Sequence, residues 1–466
     1  MKLKTELFIY QQEAVNKLLG LKVGALFMEM GTGKTRTALE IINKRLKANK
    51  LNHVLWLCPC SVRENLMTDI RKHADEGFTK IAVYGIESLS NSTRLYGLLL
   101  QYVQAGETML IIDESTLVKN YSAIRTQKII SLAQSCKYRL ILNGTPISKS
   151  EADLFAQFYI LDWRILGYRS FWRFAANHLE YDEKYRHKIR RVLNVDYLTS
   201  KISPYSYIIR KDDVLKLPGK KYFTKCFILT PEQREHYASE RDDFLDTLIN
   251  DDDEAAIYRT FTALQEITSG RYITSKVHEH ITHRPFFENP IQNPRIQALL
   301  ETINANGQKT IIWCKFQHEI DDVSRILSEK YGEENVQIFC GKTSPKKRNE
   351  ALVLFSTKAQ YLVANKTCAG FGLNLQFCHK AIYYNNDWNW ATRVQSEDRI
   401  HRLGQEKEVE IIDIYGLSTI DDRIIKCLQK KEKLSDAFRA SVKTKNAKKW
   451  IDGFDVKGLD DDKNRS

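Results

Sequence analysis

An apolar run, Ala25-Leu26-Phe27-Met28, is followed after Glu29 by Met30-Gly31-Thr32-Gly33-Lys34-Thr35, and then by a helical stretch from Arg36 to Leu46. No other feature of the chain restricts the fold as strongly. A buried strand that feeds a glycine-rich turn and then a helix is half of a parallel βα unit, and such a turn is shaped to cradle phosphate. Glycines let the backbone approach an anion closely. Amides at the helix start then point at it, and the helix dipole adds to the attraction. Lys34 would meet the β- and γ-phosphates of a nucleotide, and the Thr35 hydroxyl would ligate magnesium. The full phosphate-loop pattern has a glycine where Met28 stands, so the match is partial. A glycine turn ahead of an ordinary helix is the bland alternative.

Asp113-Glu114 bears on that choice. The pair follows Met109-Leu110-Ile111-Ile112, which places it at the C-terminal end of a buried strand, where open α/β sheets hold their ligands. Asp113 would hold the magnesium ion, and Glu114 would position or deprotonate an attacking water. An acidic pair after a strand is by itself an ordinary turn. Downstream of a GTGKT loop it becomes the second half of one device.

The rest of the chain repeats the same alternation. Val54–Cys58, Met109–Ile112 and Arg139–Leu142 read as buried strands in the first third. Thr310–Cys314, Val336–Phe339, Tyr361–Ala364, Ala381–Tyr384 and Glu410–Ile414 do so in the last. Helical periodicity between such runs implies parallel strands with crossover helices. Residues 151–300 differ, with apolar and aromatic residues at helical spacing (Leu154, Phe155, Phe158; Phe171, Trp172, Phe174). The expected organisation is a first lobe over 1–215 with a helical insertion at about 151–205, a second lobe over 216–445 with an insertion at about 231–285, and a flexible tail over 446–466.

Charge follows these divisions. Residues 1–150 carry 21 basic and 12 acidic side chains, 151–300 carry 22 of each, and 301–450 carry 25 and 19, within a net charge of +13. A basic excess points to a polyanionic partner without naming it. The nine cysteines include no CxxC pair, which argues against a disulfide scaffold or a zinc module. No apolar run is long enough to span a bilayer, and the start Met1-Lys2-Leu3-Lys4 lacks the apolar core of a signal peptide. A cytoplasmic setting, bacterial or inside a host cell, is the expectation.

With these motifs in order, the chain resembles the Swi/Snf family of superfamily-two helicase-like ATPases from Leu7 to about Leu428. Tyr10-Gln11 is similar to the motif that reads adenine. Cys58-Pro59-Cys60-Ser61 resembles a contact to the nucleic-acid backbone, and Asp113-Glu114-Ser115-Thr116 with Lys119-Asn120 resembles the family's acidic box and its trailing Lys-Asn. Gly144-Thr145-Pro146 resembles the motif that couples hydrolysis to lobe movement. Ile208–Lys211, Leu217–Lys220 and Leu229–Gln233 are similar to the segment joining the lobes in this branch. Gly370-Phe371-Gly372-Leu373-Asn374-Leu375, Asp387-Trp388-Asn389-Trp390 and Gln395-Ser396-Glu397-Asp398-Arg399-Ile400-His401-Arg402-Leu403-Gly404-Gln405 resemble the family's GxGxNL turn, its D-x-W-N-P step and its QxxxRxxRxGQ helix. On one helix, Gln395, Arg399 and Arg402 would share a face. Their guanidiniums would serve the γ-phosphate with a planar, permanently charged fork. Trp390 stands in place of proline, Ser115-Thr116 in place of the usual pair, and Asn143 in place of threonine. None is a phosphate ligand, so these departures bear on coupling and substrate preference.

The resemblance implies an α/β fold of two tandem RecA-like lobes, parallel sheets flanked by helices, with helical insertions and an ATP cleft between the lobes. It implies a nucleic-acid-dependent ATPase that uses ATP and magnesium and translocates on or remodels double-stranded or branched DNA. The catalytic residues would be Lys34, Asp113, Glu114, Gln395, Arg399 and Arg402. Tyr10, Gln11, Met30, Gly31, Thr32, Gly33, Lys34, Thr35 and Gly372 would hold the nucleotide, and Thr35 and Asp113 the metal. Pro59, Ser61, Lys119, Asn120, Thr145 and Trp388 would touch nucleic acid. A compact bacterial or viral motor acting at forks or recombination intermediates is the expectation, monomeric and associated with replication or recombination proteins rather than membranes. Two other classes stay open: a strand-separating DNA or RNA helicase, and a non-enzymatic nucleic-acid-binding scaffold. Within the first, an RNA helicase of the DEAD-box kind would want Asp-Glu-Ala-Asp and a third arginine after Arg402, and the second class would want damage at the ATP residues.

Overall fold

A computed structural model of the chain describes residues 2–75, 79–144, 147, 150–182, 189–247, 254–277, 280–303, 308–366 and 373–453. The chain forms two units, Met1–Leu217 and Pro218–Ser466. In the first, β1 (Val23–Met28), β2 (His53–Cys58), β3 (Ile81–Gly85), β4 (Thr108–Ile112), β5 (Tyr138–Asn143) and β8 (Ser206–Ile209) form one parallel sheet in the order β3-β2-β4-β5-β1-β8. A two-stranded antiparallel ribbon, β6 (Leu179–Tyr181) with β7 (Ile189–Val192), stands apart from it. In the second unit, β9 (Lys220–Phe227), β12 (Thr310–Cys314), β13 (Val336–Phe339), β14 (Tyr361–Asn365), β15 (Lys380–Tyr383) and β16 (Val409–Gly416) form another parallel sheet, ordered β13-β14-β12-β15-β16-β9. There β10 (Arg271–Val277) and β11 (His280–Pro285) make the ribbon.

Each central strand is apolar on both faces because helices cover both. β4 and β12 are buried at every position, and β2 at all but His53. Within the two parallel sheets three strands escape sequence reading, and all lie at sheet edges: β3, β8 and β9. β3 alternates buried and half-buried positions, and β9 carries the exposed Lys221 and the exposed rings of Tyr222 and Phe223. Charge on an edge strand discourages pairing with other chains, and it also erases the continuous apolar run that identifies an inner strand.

The insertions are not purely helical. In the first unit, helices Asp153–Leu166, Phe171–His178 and Val195–Ile202 enclose the β6–β7 ribbon. In the second, helices Pro231–Thr247 and Glu254–Thr268 precede the β10–β11 ribbon. The stretch expected to be a tail from 446 instead begins with helix Ala447–Ile451. Arg241 pairs with Asp452 at 2.7 Å, Arg423 Nε donates to the Trp450 carbonyl at 2.6 Å, and the Trp450 ring lies 5.6 Å from Phe438. Apolar Trp450 and Ile451 therefore anchor this segment, and the acidic end of the chain, 454–466, lies outside the described residues. Among the described residues no helix is long and apolar enough to cross a membrane.

Candidate functional site

The phosphate loop leaves the buried end of β1 and enters helix Lys34–Lys47 through two residues of positive φ, Gly31 (+83°) and Gly33 (+85°). The helix start has no side-chain cap, so its first amides and positive dipole end face the loop mouth. Gly33 is required twice over. Its φ suits glycine, and a Cβ there would stand 2.2 Å from Gln11 Nε2. Gln11 is buried; its Nε2 donates to the Thr32 carbonyl at 2.9 Å and its Oε1 accepts from the Phe8 amide at 3.0 Å. Tyr10, by contrast, belongs to the apolar core beside Val15 and Leu18. Lys34 Nζ donates to the Met28 carbonyl at 2.8 Å, and Thr32 Oγ1 to the Glu29 carbonyl at 2.7 Å. Met28 is the last residue of β1 and fully buried, so at this position strand and core decide the residue, not the loop.

The acid pair follows β4, where the Asp113 amide donates to the Leu57 carbonyl of β2 at 2.7 Å. Burial, and secondarily the Glu114 charge, raise the Asp113 carboxyl to about 7 from its ordinary value near 4, with Lys34 acting in the opposite sense. Lys34 and the acid pair therefore share one electrostatic site. Glu114 sits in left-handed backbone, φ +51° and ψ +57°, and its amide donates to Asp113 Oδ1 at 3.0 Å. A non-glycine residue held there marks a position the surroundings enforce. Behind it, Ser115 Oγ donates to Gln157 Oε1 at 2.5 Å, and Asn143 Nδ2 lies 3.4 Å from Ser115 Oγ. Sequence reasoning missed Gln157, whose only signal is a polar residue on the apolar stripe Leu154-Phe155-Phe158. The network ties the acid box to the end of β5, just before Gly144.

In the second unit, Gln395 lies half-buried on helix Trp390–Glu397, whose N-terminus Asn389 caps through the Thr392 amide. That helix ends at Glu397, and Arg399 and Arg402 lie in the turns that follow, so the single helical face expected for the three residues does not form. Gly404, at φ +95°, completes the change of direction. The arginines meet the 373–375 segment instead. The Leu375 amide donates to the Arg399 carbonyl at 3.0 Å, and Arg402 Nη1 donates to the Leu373 carbonyl at 3.3 Å and to Asn374 Oδ1.

A buried charge knot holds this helix, and sequence reasoning missed it. Arg393 lies 2.5 Å from Asp413 and 2.8 Å from Glu397, donates to Asn386 Oδ1 at 2.6 Å, and stacks 3.4 Å from the centroid of the Tyr383 ring. Burial works to raise the Glu397 carboxyl, and Lys220 and Arg393 outweigh it, leaving it below its ordinary value. Lys220 of β9 reaches Glu397 at 2.9 Å, and Tyr222 donates to the same carboxylate. The i, i+4 spacing of Arg393 and Glu397 was the available signal.

Of the expected nucleic-acid contacts, Pro59 is buried and Ser61 exposed at the short turn Cys60–Val62 after β2. Lys119 lies 3.7 Å from Asp153, and Asn120 Oδ1 accepts from the Ser122 amide at 3.1 Å. The Trp388 ring is half-buried against Tyr258, 4.8 Å between centroids, with Lys315 Nζ 3.8 Å from its own centroid. Thr145 and Gly372 lie outside the described residues.

This donor set suits a nucleotide with its magnesium ion. Gly33 has no room for a Cβ beside Gln11, and the uncapped helix start, an ammonium and a hydroxyl at 34 and 35 adjoin it. A dication would restore the ionised form of a carboxyl that burial has pushed up. Lys34 and the loop amides would hold the phosphates, and Thr35 and Asp113 the metal.

A strand, phosphate loop and helix followed by an acidic strand end define the P-loop class. Three family models match the chain: SNF2-related domain over 79–279, helicase conserved C-terminal domain over 294–404, and type III restriction enzyme, res subunit, over 4–148. An SNF2-related domain followed by a helicase C-terminal domain fits an SNF2-type, superfamily-two helicase-like ATPase. It is 26% identical to an uncharacterized ATP-dependent helicase of Mycoplasma pneumoniae, across 92% of this chain and 42% of that protein. It is also 26% identical to the SWI/SNF-related matrix-associated actin-dependent regulator of chromatin subfamily A-like protein 1 of Xenopus tropicalis, across 93% of this chain and 45% of that one. The chain thus spans less than half the length of these curated relatives. The Sulfolobus solfataricus SWI2/SNF2 ATPase core in complex with dsDNA aligns over 97% of this chain and 96% of its own, at 22% identity and a TM-score of 0.42.

Proposed function

We propose that the chain is a DNA-stimulated ATPase that couples hydrolysis to translocation on, or remodelling of, double-stranded or branched DNA. The observation that carries this reading is the electrostatic site shared by Lys34, Asp113 and Glu114 at the end of β4, beside a glycine turn in which Gln11 leaves no room for a Cβ at Gly33. Lys34 and the loop amides bind and orient the phosphates. Glu114, fixed by its backbone, takes the proton of the attacking water. Bound magnesium supplies charge neutralisation at the phosphates. Arg399 and Arg402 are proposed to serve the γ-phosphate in the reacting state, so turnover needs both units. The Ser115–Gln157–Asn143 network offers a route by which the acid box senses the state of the β5 end. Contacts to DNA fall on phosphates, which lets the protein track a strand without reading sequence. Within this reading the protein works as a monomer in the cytoplasm, beside replication or recombination proteins.

The test is the ATPase rate of the full chain with no nucleic acid, single-stranded DNA, blunt duplex, forked DNA and RNA. Duplex or forked DNA should stimulate most, and Glu114→Gln should abolish turnover while DNA binding persists. Undiminished hydrolysis by Glu114→Gln would sink the assigned chemistry, and stimulation by RNA alone would replace the substrate.

A further inference from the structure

The electrically neutral middle third of the chain is a cancellation between two unlike insertions. Residues 169–201 of the first unit carry eight Lys or Arg against four Asp or Glu, while residues 231–268 of the second carry three against eleven. The basic one also displays rings. Trp172 is 77% exposed, more than any other aromatic side chain among the described residues. Its neighbour Phe171 packs into the core 5.4 Å from Phe155, and one step around the helix turns Trp172 outward with Arg173 beside it. Tyr197 is exposed and stacks on His178 at 5.8 Å, with Lys201 Nζ 5.2 Å above its ring. Arg190 and Arg191 stand exposed on β7. Asn194 Nδ2 donates to the Asn177 carbonyl at 3.0 Å, and the Leu193 amide to the His178 carbonyl at 2.8 Å, so helix Phe171–His178, the ribbon and helix Val195–Ile202 form one support.

Resting on the DNA-motor reading, we propose that this surface binds unpaired DNA, the single-stranded arm of a fork or gapped duplex. An exposed indole beside Arg173, on a support that also displays Arg190 and Arg191, suits a chain that offers both π-faces and phosphates. Base–aromatic stacking tolerates any sequence, because every base has a face, and a base paired inside a duplex does not present it. Duplex alone would call for the cations without the rings. A protein partner would call for a wider apolar patch than three exposed residues, Trp172, Val195 and Tyr197, ringed by charge. The four acidic side chains of 169–201 are outnumbered two to one, and Glu180 engages a ribbon arginine, Arg190, at 3.5 Å.

The experiment measures binding of the full chain, without ATP, to a single-stranded oligonucleotide, a forked duplex and a blunt duplex at several salt concentrations. Trp172→Ala should weaken the first two about tenfold and leave blunt-duplex binding and blunt-duplex-stimulated hydrolysis unchanged, with Trp172→Phe recovering most of the loss. Arg190→Ala with Arg191→Ala should reduce the slope of log affinity against log salt on single strands by about 1.4. Unchanged affinity of Trp172→Ala for forked DNA, or an equal loss on forked and blunt DNA, overturns the proposal. Should wild-type hydrolysis ignore DNA while Trp172→Ala still loses single-strand binding, the motor reading fails and the surface stands.

Discussion

The two units fix their functional groups by opposite means. In the first, the backbone does it: Gly31, Gly33 and Glu114 hold positive φ, and the groups they present stay within reach of solvent. In the second, charge does it: Arg393, Asp413 and Glu397 are buried together beneath the arginine turns. Left-handed backbone costs a non-glycine residue such as Glu114 about 1–3 kcal/mol and a glycine little, and it leaves the site open for a ligand. A buried knot orients its surroundings firmly, yet each member depends on the others, because a lone buried charge is far worse than a pair. Changes at the phosphate loop should therefore damage chemistry more than folding, and changes in the buried knot the reverse.

The largest effect expected is on rate. Arg402→Ala should lower DNA-stimulated turnover about 10³- to 10⁵-fold, the loss typical of a charge lent to a transferring phosphoryl group. Arg402 is half-buried at the surface turn and bonds Leu373 and Asn374, so hydrogen exchange in β15 and β16 should hardly change. Next comes Arg393→Ala. It strips Asp413 and Glu397 of their shared cation and should destabilise the second unit by about 3–5 kcal/mol, with amides of β1 and β4 still protected. Faster exchange in both units together would erase the contrast.

The acidic insertion adds a pH dependence of its own, at a carboxyl of the second unit. Burial, then the neighbouring Glu319 charge, push Glu266 up to about 8, while Lys315 and Arg271 pull it down. His318 lies 3.4 Å away and His283 4.0 Å, and burial holds His318 down at about 4, so neither imidazole brings a charge at neutral pH. The folded state then keeps a proton on Glu266 that the unfolded chain releases near 4.5, so this residue costs stability progressively as pH rises from 4.5 to about 8. Glu266→Gln should match the parent near pH 4.5 and be more stable at pH 8, by on the order of 2 kcal/mol. Equal gains at both pH values would point to packing instead of titration.

The inner strands and the phosphate loop could be read from sequence because each is local: a continuous apolar run, or a glycine pair before a helix. The edge strands could not, since Lys220–Phe227 is recognisable as a strand only once β16 lies beside it. The acid pair was legible by its place after β4. What Glu114 needs from its surroundings was not, because a positive φ and the Ser115–Gln157 bond leave no mark on residue spacing. The arginine turn failed differently. Helical spacing of Gln395, Arg399 and Arg402 is real in the sequence, but the helix stops at Glu397 and the 373–375 segment takes the arginines. The Arg393 knot was hidden because Asp413 lies 20 residues on, in a strand of its own.

The smallest effect is the most discriminating about backbone strain. Gly33→Ala adds one methyl group at φ +85° and sets it 2.2 Å from Gln11 Nε2, which itself holds the Thr32 carbonyl. The expected loss is about 1–2 kcal/mol, together with weaker ATP binding. Two causes contribute, and a double-mutant cycle with Gln11→Ala separates them. Gln11→Ala removes the collision but not the dihedral strain, so the pair should lose less than the sum of the single changes, by the part that is steric. If the two losses simply add, Gln11 yields without cost and backbone strain alone makes Gly33 obligatory. If Gln11→Ala cancels the whole loss, the loop tolerates the dihedral, and the claim that the first unit is held by its backbone fails at its central residue.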